Sequence, residues 1–386
     1  MKKVEEFGKL KYVIPSGITS GFSLWTQEGF MLRTKILNLL TMFLEENGEI
    51  KLSYPQLCEK KDIYQDLYNM KFSDYNNIPT FMNQEEEWVF ITDMLPYNLQ
   101  KLQNLNEDIM LLNYPVIRLI KCKHVQLYTE CYISIMQINT KCKKAVIEEF
   151  SYKLFQSLNN FFKAINMNSR FVEYTPIDNY SKKLGFFCSV NGVDNIEALL
   201  QCSLIDKTLL DNFRVNNNYE YFDIGGSQRL YSVWYDNNSD EQGIYWPKAM
   251  RDIDFYCVFN NEFADYNLLN QLKNNFERIQ FDNNLGKCKL KNIKRKAIDE
   301  GAAVFLIHIV DNGKEMIRFY TRDKRQGILQ DVHELEQLKT MIDTVEEYFY
   351  LGKEKVFEQK KEKEGLRVRE KHSSGIIRQN GFFDLY

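Results

Sequence analysis

The sequence predicts an α+β protein: an antiparallel sheet flanked by helices, followed by a small α/β unit. Three observations carry that prediction. The chain has 386 residues, more than one ordinary domain, and its 44% hydrophobic content fills more than one core. Up to about Trp234 the strand-like runs are joined by hairpin-type turns and flanked by helices, without crossover units. From Arg251 onward strand and helix alternate, the pattern of a mostly parallel sheet. The division expected is 1–250, 251–352, and a charged tail with an apolar end over 353–386.

The elements follow in order. Gln27 to Leu44 repeats apolar residues at helical spacing (Phe30, Ile36, Leu37, Leu40, Phe43), and Asn47-Gly48 stops the helix. Glu49 to Tyr54 alternates as a strand ended by Pro55. Cys58 to Glu86 is polar with a weak helical reading, Glu87 to Asp93 is a strand, and a helix follows from about Pro96. Pro115 to Lys121 and Tyr128 to Ile138 form a tight hairpin. Ala145 to Ile165 is an amphipathic helix with Val146, Phe150, Leu154, Leu158, Phe161 and Phe162 on one face. Gly185 to Val190, Ala198 to Leu204 and Tyr219 to Phe222 are strands. Ile224-Gly225-Gly226 breaks into Ser227 to Trp234, and Asp236-Asn237-Asn238 opens a loop. In the second unit, Asp254–Asn260, Val304–Val310 and Met316–Thr321 are strands. Leu268–Arg278, Leu290–Glu300 and Leu329–Tyr350 are helices.

Composition excludes several classes. Lys+Arg 50 against Asp+Glu 53 gives a net charge of -3, so no basic coat covers the whole chain. Eight cysteines without a CxxC pair, and four histidines without HExxH, leave no zinc motif. The N-terminal MKKVEEFGKLKYV is too charged for a secretory leader, so the cysteines read as reduced and the protein as cytoplasmic, with an organelle left open. No window reaches the ~18 apolar residues of a membrane span. His308 inside an apolar strand reads as a core histidine, and Cys122 between Lys121 and Lys123 as a strand cysteine without a role.

The most specific stretch is Asp223 to Pro247, DIGGSQRLYSVWYDNNSDEQGIYWP. A glycine pair lets backbone approach a nucleotide, and an arginine at a helix start reaches its phosphates. This stretch resembles the third signature motif of class II aminoacyl-tRNA synthetases, in its prolyl version, and GFSLWTQEGFMLRTKILNLL with Gly48 and Pro55 resembles the first. WVFITDML is similar to the substrate-loop segment of the prolyl and threonyl enzymes, with Thr92 matching its threonine and Met94 at the ammonium-binding glutamate. From Asp254 the chain resembles the anticodon-binding domain of the prolyl, threonyl, histidyl and glycyl group. The resemblance runs through nearly the whole chain and implies a class II sheet, an ATP site, and a homodimer through the first motif.

The second motif departs from the family pattern of F-R-x-E, a loop, and R-E-F. Set against Ile120 to Val125 and Thr129-Glu130-Cys131, it places Lys123 at the arginine, Glu130 at the glutamate of R-E-F, and Thr129 at its arginine. Lysine lacks the bidentate fork of arginine. Each lost preorganised charged contact costs roughly 3–4 kcal/mol in the transition state. The resemblance thus implies Arg229, Lys123 and Glu130 as catalytic positions. It implies Gly225, Gly226, Arg229 and Lys123 around ATP with Mg2+, and Thr92 and Glu130 around the substrate. No resident metal site is expected. Two functions follow: a synthetase paralogue with a weakened site, accessory or regulatory, binding tRNA, another RNA or a protein partner; or an ATP-dependent ligase forming aminoacyl adenylates with an altered substrate or acceptor. Lys287, Lys289, Lys291, Lys294, Arg295 and Lys296 form a local basic patch suited to RNA phosphates or to a solvated helix face.

Overall fold

The computed structural model describes residues 12–15, 23–47, 50–52, 57–59, 80–83, 86–90, 99, 109–122, 125–139, 144–167, 169–174, 180–189, 196–212, 219–227, 229–240, 243–260, 266–286, 288–302, 304–321 and 331–332. Strands β1 (Val13–Pro15) and β2 (Ser23–Trp25) pair antiparallel ahead of helix α1 (Gln27–Glu45). Thr26 caps that helix: its backbone is extended and its Oγ1 accepts the Gly29 N–H at 3.1 Å. Leu32, Ile36, Leu37, Leu40 and Leu44 are the buried stripe.

A seven-stranded sheet gathers β3 (Ile50–Leu52), β7 (Ile109–Cys122), β8 (Val125–Asn139), β9 (Ser169–Tyr174), β10 (Tyr180–Ser189), β11 (Ile196–Ile205) and β12 (Tyr219–Ser227). Its order is β3-β7-β8-β12-β11-β10-β9, antiparallel throughout except the β3–β7 pair. The predicted hairpin is β7–β8, longer than expected because β7 starts at Ile109. A register shift between Asn113 and Val116 takes up Pro115, which cannot donate to the ladder. The weak helix expected over 58–86 is contradicted at both ends: β4 (Leu57–Glu59), β5 (Thr80–Asn83) and β6 (Glu86–Phe90) form a three-stranded sheet.

One face of the seven-stranded sheet carries the helices. Leu200, Cys202, Phe222 and Ile224 pack with α1, with Leu154, Leu158, Phe161 and Phe162 of α2 (Lys144–Ala164), and with Leu230, Val233 and Trp234 beyond β12. The Trp234 indole N–H donates to the Ile165 carbonyl at 2.8 Å, so its polar edge is satisfied inside the core. After β11, Asp206 opens the short helix α3 (Lys207–Asn212), and the Thr208 hydrogen bonds hold its carboxyl below the usual range.

The second sheet contains β15 (Phe255–Val258), β16 (Ile279–Asp282), β17 (Val304–Asp311), β18 (Lys314–Thr321) and β19 (Asp331–Val332), ordered β16-β15-β17-β18-β19. It is mixed rather than mostly parallel: β15 is parallel to β16 and β17, and the two outer ladders are antiparallel. Alternation along β15 builds two cores. Phe255 and Cys257 meet Leu268, Leu269 and Leu272 of α5 (Asn267–Asn275); Tyr256 and Val258 meet Ile293 and Ala297 of α6 (Leu290–Asp299). Asp331 and Val332 are strand where a helix was expected to begin; the rest of that expected helix lies outside the described residues.

Helix α1 and the second sheet are each tied to the segment between Lys248 and Asp254. Lys35 of α1 donates to the Met250 carbonyl at 2.9 Å and pairs with Asp252 at 2.5 Å, with its ammonium 5.0 Å from the Trp246 ring centroid. Arg278 grips Asp254 with Nε and Nη2 (2.8 and 2.9 Å) and donates to the Lys248 and Arg251 carbonyls.

Candidate functional site

Helix α4 (Arg229–Asn238) follows β12, with Gln228 outside the described residues. Gly225 and Gly226 are strand residues, not a turn. Gly225 lies between Ile133 of β8 and Gln201 of β11, and Gly226 between Tyr132 and Leu200. The absence of side chains therefore opens the surface of a central strand rather than a loop. Ser227 ends the strand opposite Cys131, so Glu130 stands one step beyond the end of β12, beside the segment that leads to Arg229. Register thus brings Gly225, Gly226, Glu130 and Arg229 to one end of the sheet.

Lys123 and Thr92 lie outside the described residues, as does Met94. Lys123 belongs to the two-residue tip between Cys122 and Val125. From Glu130 to Val125 is roughly 17 Å of extended strand. Arg118 is nearer: it stands opposite Thr129, next to the Ile117–Glu130 pair. Sequence reading passed over it because the basic run around Lys121 and Lys123 drew the motif toward the tip. Counting back from Thr129-Glu130-Cys131 across the hairpin would have found it. Ile117 and Arg118, rather than Cys122 and Lys123, are thus the residues across from Glu130 and Thr129.

The face opposite the helices carries buried polar groups. Phe222 and Ile224 enter the helix-side core, so the alternate residues Tyr221 and Asp223 present to the other face, with Ser203 paired opposite Asp223. All three are buried, and burial pushes the Tyr221 phenol up. Burial also raises the neighbouring Glu220 carboxyl, against the opposing charge of Lys207.

The expected loop at Asp236-Asn237-Asn238 is the last turn of α4. The Asn237 and Asn238 amides donate to the Val233 and Trp234 carbonyls (both 2.9 Å), and strands β13 (Ser239–Asp240) and β14 (Gly243–Ile244) follow. The Gly243-to-Pro247 segment works as a joint: Trp246 packs on Trp234 at 5.7 Å and covers Gly301, whose φ is +89°.

The basic patch is partly spent inside the fold. Lys296 donates to Asp282 at 3.2 Å and lies 3.8 Å from Glu300; Lys294 lies 6.0 Å from the Tyr320 ring centroid. Asp282 also accepts the Tyr256 hydroxyl and the Asn284 N–H. Although burial opposes it, those hydrogen bonds hold the Asp282 carboxyl below its usual range, and hydrogen bonds with Tyr256 and Asp282 hold the Lys296 ammonium above its own. Lys289, Lys291 and Arg295 remain exposed, and Lys287 lies outside the described residues. His308 is fully buried with Nε2 3.0 Å from Glu315 Oε2, which also accepts the Leu268 N–H that opens α5. Cys202 and Cys257 are buried and Cys288 is exposed, none of them in a disulfide. Among the described residues no cluster of three or more His, Cys, Asp or Glu could hold a metal, and no helix is long and apolar enough to cross a membrane.

No family model and no curated protein matches the sequence. Solved structures do match the fold. One is the prolyl-tRNA synthetase of Giardia lamblia in complex with prolyl-adenylate, at TM-score 0.67 and 12% identity, covering 91% of this chain and 80% of that one. Another is the prolyl-tRNA synthetase of Cryptosporidium parvum complexed with halofuginone and AMPPNP, at TM-score 0.64 and 10% identity, covering 94% and 80%. Across almost its whole length, this chain has the fold of class II prolyl-tRNA synthetases.

Proposed function

We propose that the face of the seven-stranded sheet opposite α1, α2 and α4 is a weakened ATP site of the class II type, in a synthetase paralogue with an accessory or regulatory role. The observation that carries this reading is register: Gly225 lies on that face at the end of β12 that leads to Arg229, and Arg118, across the hairpin from Thr129, lies on the same face. Arg118 and Arg229 are the cations for the triphosphate, in place of Lys123, because guanidinium groups bind phosphate oxygens in pairs. Magnesium would arrive with the nucleotide, through phosphate oxygens and water. The site is weaker than an ordinary synthetase site because Ile120, Thr129 and Met94 replace an acid, a base and an acid. Each such loss costs roughly 3–4 kcal/mol of transition-state stabilisation.

Residues 1–250 form the synthetase-like unit and 251–352 an anticodon-binding-like unit, with 353–386 as tail. In the second unit the exposed Lys289, Lys291 and Arg295 face RNA phosphates, tRNA being the first candidate. A homodimer forms through α1, whose Phe30, Met31 and Met42 are exposed, Met42 at 60%.

The retained Arg118 favours a second reading: an ATP-dependent ligase that forms an aminoacyl adenylate with an altered substrate or acceptor. Pyrophosphate exchange decides between the two. Adenylate formation is reversible, so labelled pyrophosphate enters ATP only if the bond is made. ATP binding without exchange for any amino acid supports the accessory role; exchange with one of them establishes the ligase. A protein that binds no ATP refutes both.

A further inference from the structure

The β17–β18 hairpin turns through Asn312 and Gly313, with Asp311 paired opposite Lys314. Both turn residues have positive φ, 50° and 77°, as a tight turn of the type I′ kind requires. Residues 311–314 are all exposed. The space beside Gly313 is open: a Cβ built there would meet nothing within 4 Å. Asn-Gly is a reactive pair, because glycine leaves its backbone nitrogen uncovered to the side-chain amide before it. The sequence holds four such pairs, beginning at Asn47, Asn191, Asn312 and Asn380. Asn191 and Asn380 lie outside the described residues. Asn47 is tied down at the end of α1: its Nδ2 donates to the Phe43 carbonyl at 3.1 Å and its backbone N–H to the Leu44 carbonyl at 3.0 Å. The Asn312 amide makes no hydrogen bond to a described residue.

We propose that Asn312-Gly313 is a covalent modification site, where spontaneous deamidation with water as co-reactant converts Asn312 to aspartate and isoaspartate. The Gly313 nitrogen gives up its proton to solvent and attacks Asn312 Cγ. The new C–N bond forms, the Cγ–Nδ2 bond breaks, and the amide nitrogen takes up a proton and leaves as ammonia. Water then opens the cyclic imide that remains. Opening at Cγ restores the main chain and leaves aspartate. Opening at the Asn312 backbone carbonyl leaves isoaspartate, whose main chain runs through Cβ and Cγ. Overall, water enters, ammonia leaves, and nothing is oxidised or reduced. The attack needs a rotation about the Asn312 Cα–C bond. Because residues 311–314 are exposed, that rotation opens the last rung of the ladder without moving a core side chain.

The two products differ in consequence. Asp-Gly suits a type I′ turn as well as Asn-Gly does. Isoaspartate adds a carbon to the main chain inside a turn whose length sets the hairpin register. The next rung pairs Val310 with Glu315. Glu315 accepts the Leu268 N–H that opens α5 and stands 3.0 Å from His308 Nε2. A change at a surface turn therefore reaches the start of α5.

The test ages the full-length protein under native conditions and digests it at intervals. Mass spectrometry with electron-transfer fragmentation reads amide loss at each Asn-Gly pair and separates isoaspartate from aspartate. Asn312 should lose its amide at least about fivefold faster than Asn47, the population cost of breaking one hydrogen bond that holds Asn47. The melting temperature should fall as isoaspartate accumulates. Asn312→Gly keeps a turn of the same type and removes the reaction, so it should age without that fall. Asn312→Asp, the other product, should melt with fresh wild type, which keeps the comparison readable if Asn312→Gly folds poorly. An Asn312 amide that survives as long as that of Asn47 overturns the site. An Asn312→Gly protein that loses stability as fast as wild type, or isoaspartate without a fall in melting temperature, overturns the link from the turn to α5.

Discussion

Replacing Gly29 by alanine sets two physical effects against each other. Gly29 lies in the first turn of α1, where alanine is the better helix former by about 1 kcal/mol. Its buried face lies under the incoming chain. A Cβ built on Gly29 would overlap the Tyr12 carbonyl oxygen and stand 2.8 Å from its carbon and 3.1 Å from the Trp25 ring. Those carbonyl atoms are backbone and cannot rotate away. Relief requires residues 12–15 to lift off the helix. That movement breaks the Thr26 N–H and hydroxyl bonds to the Tyr12 carbonyl (3.0 and 3.2 Å) and disturbs the Tyr12–Tyr235 ring contact at 5.0 Å. Overpacking costs about 1–3 kcal/mol and each lost hydrogen bond about 1 kcal/mol. Against the helix gain, the net is a destabilisation of about 2–4 kcal/mol, or roughly 4–8 °C in melting temperature. Differential scanning fluorimetry of Gly29→Ala beside Asn38→Ala, an exposed site on the same helix, reads it. A Gly29→Ala protein as stable as wild type would refute the packing of the N-terminal strand against α1.

Other substitutions probe separate parts of the fold. Gly301→Ala should destabilise by about 2 kcal/mol or more: φ is +89°, and the new Cβ would meet the Trp246 ring at 3.0 Å. Urea midpoints measure it. Burial and the Asp282 bond push the Tyr256 phenol up to about 12. The folded state then keeps a proton that the unfolded chain releases near pH 10, so this contribution is full below pH 10 and lost between about 10 and about 12. Tyr256→Phe should flatten that alkaline limb of the stability curve. Asp282 has the opposite sign: its lowered carboxyl stabilises above the unfolded value near 3.8 and loses that effect as pH falls through the folded one. Asp282→Asn should therefore cost stability at neutral pH and reduce the acid dependence. Changing Lys289, Lys291 and Arg295 together to glutamate should abolish tRNA retention and flatten its salt dependence with little change in melting temperature; Lys296→Glu should mainly destabilise.

The helices were legible because their apolar spacing meets a real core. The α1 stripe in the sequence is the stripe the structure buries, and α2 ends within a residue of its predicted end. Short parallel strands were not. Ile279 to Asp282 has four residues and follows directly on α5, and only its pairing with β15 makes it a strand. The glycine pair misled for a related reason. Glycine signals a turn locally, but ladders on both sides of β12 keep Gly225 and Gly226 extended. Asn237 and Asn238 look like loop residues, yet their side chains bond back to carbonyls four residues earlier and prolong α4. Gly225, Gly226, Glu130 and Arg229 could be proposed from motif order alone. Arg118 could not, since its place depends on which residue of β8 stands across from it.

The most direct measurement is ATP affinity, by calorimetry in the presence of Mg2+, of wild type, Arg118→Ala, Arg229→Ala and Lys123→Ala. A charged hydrogen bond contributes about 1.5–3 kcal/mol, so each arginine variant should lose roughly ten- to a hundredfold in affinity, while Lys123→Ala stays near wild type. Wild-type protein that binds no ATP, or affinity that depends on Lys123 and ignores both arginines, would contradict a phosphate clamp built where β7, β8 and β12 meet α4.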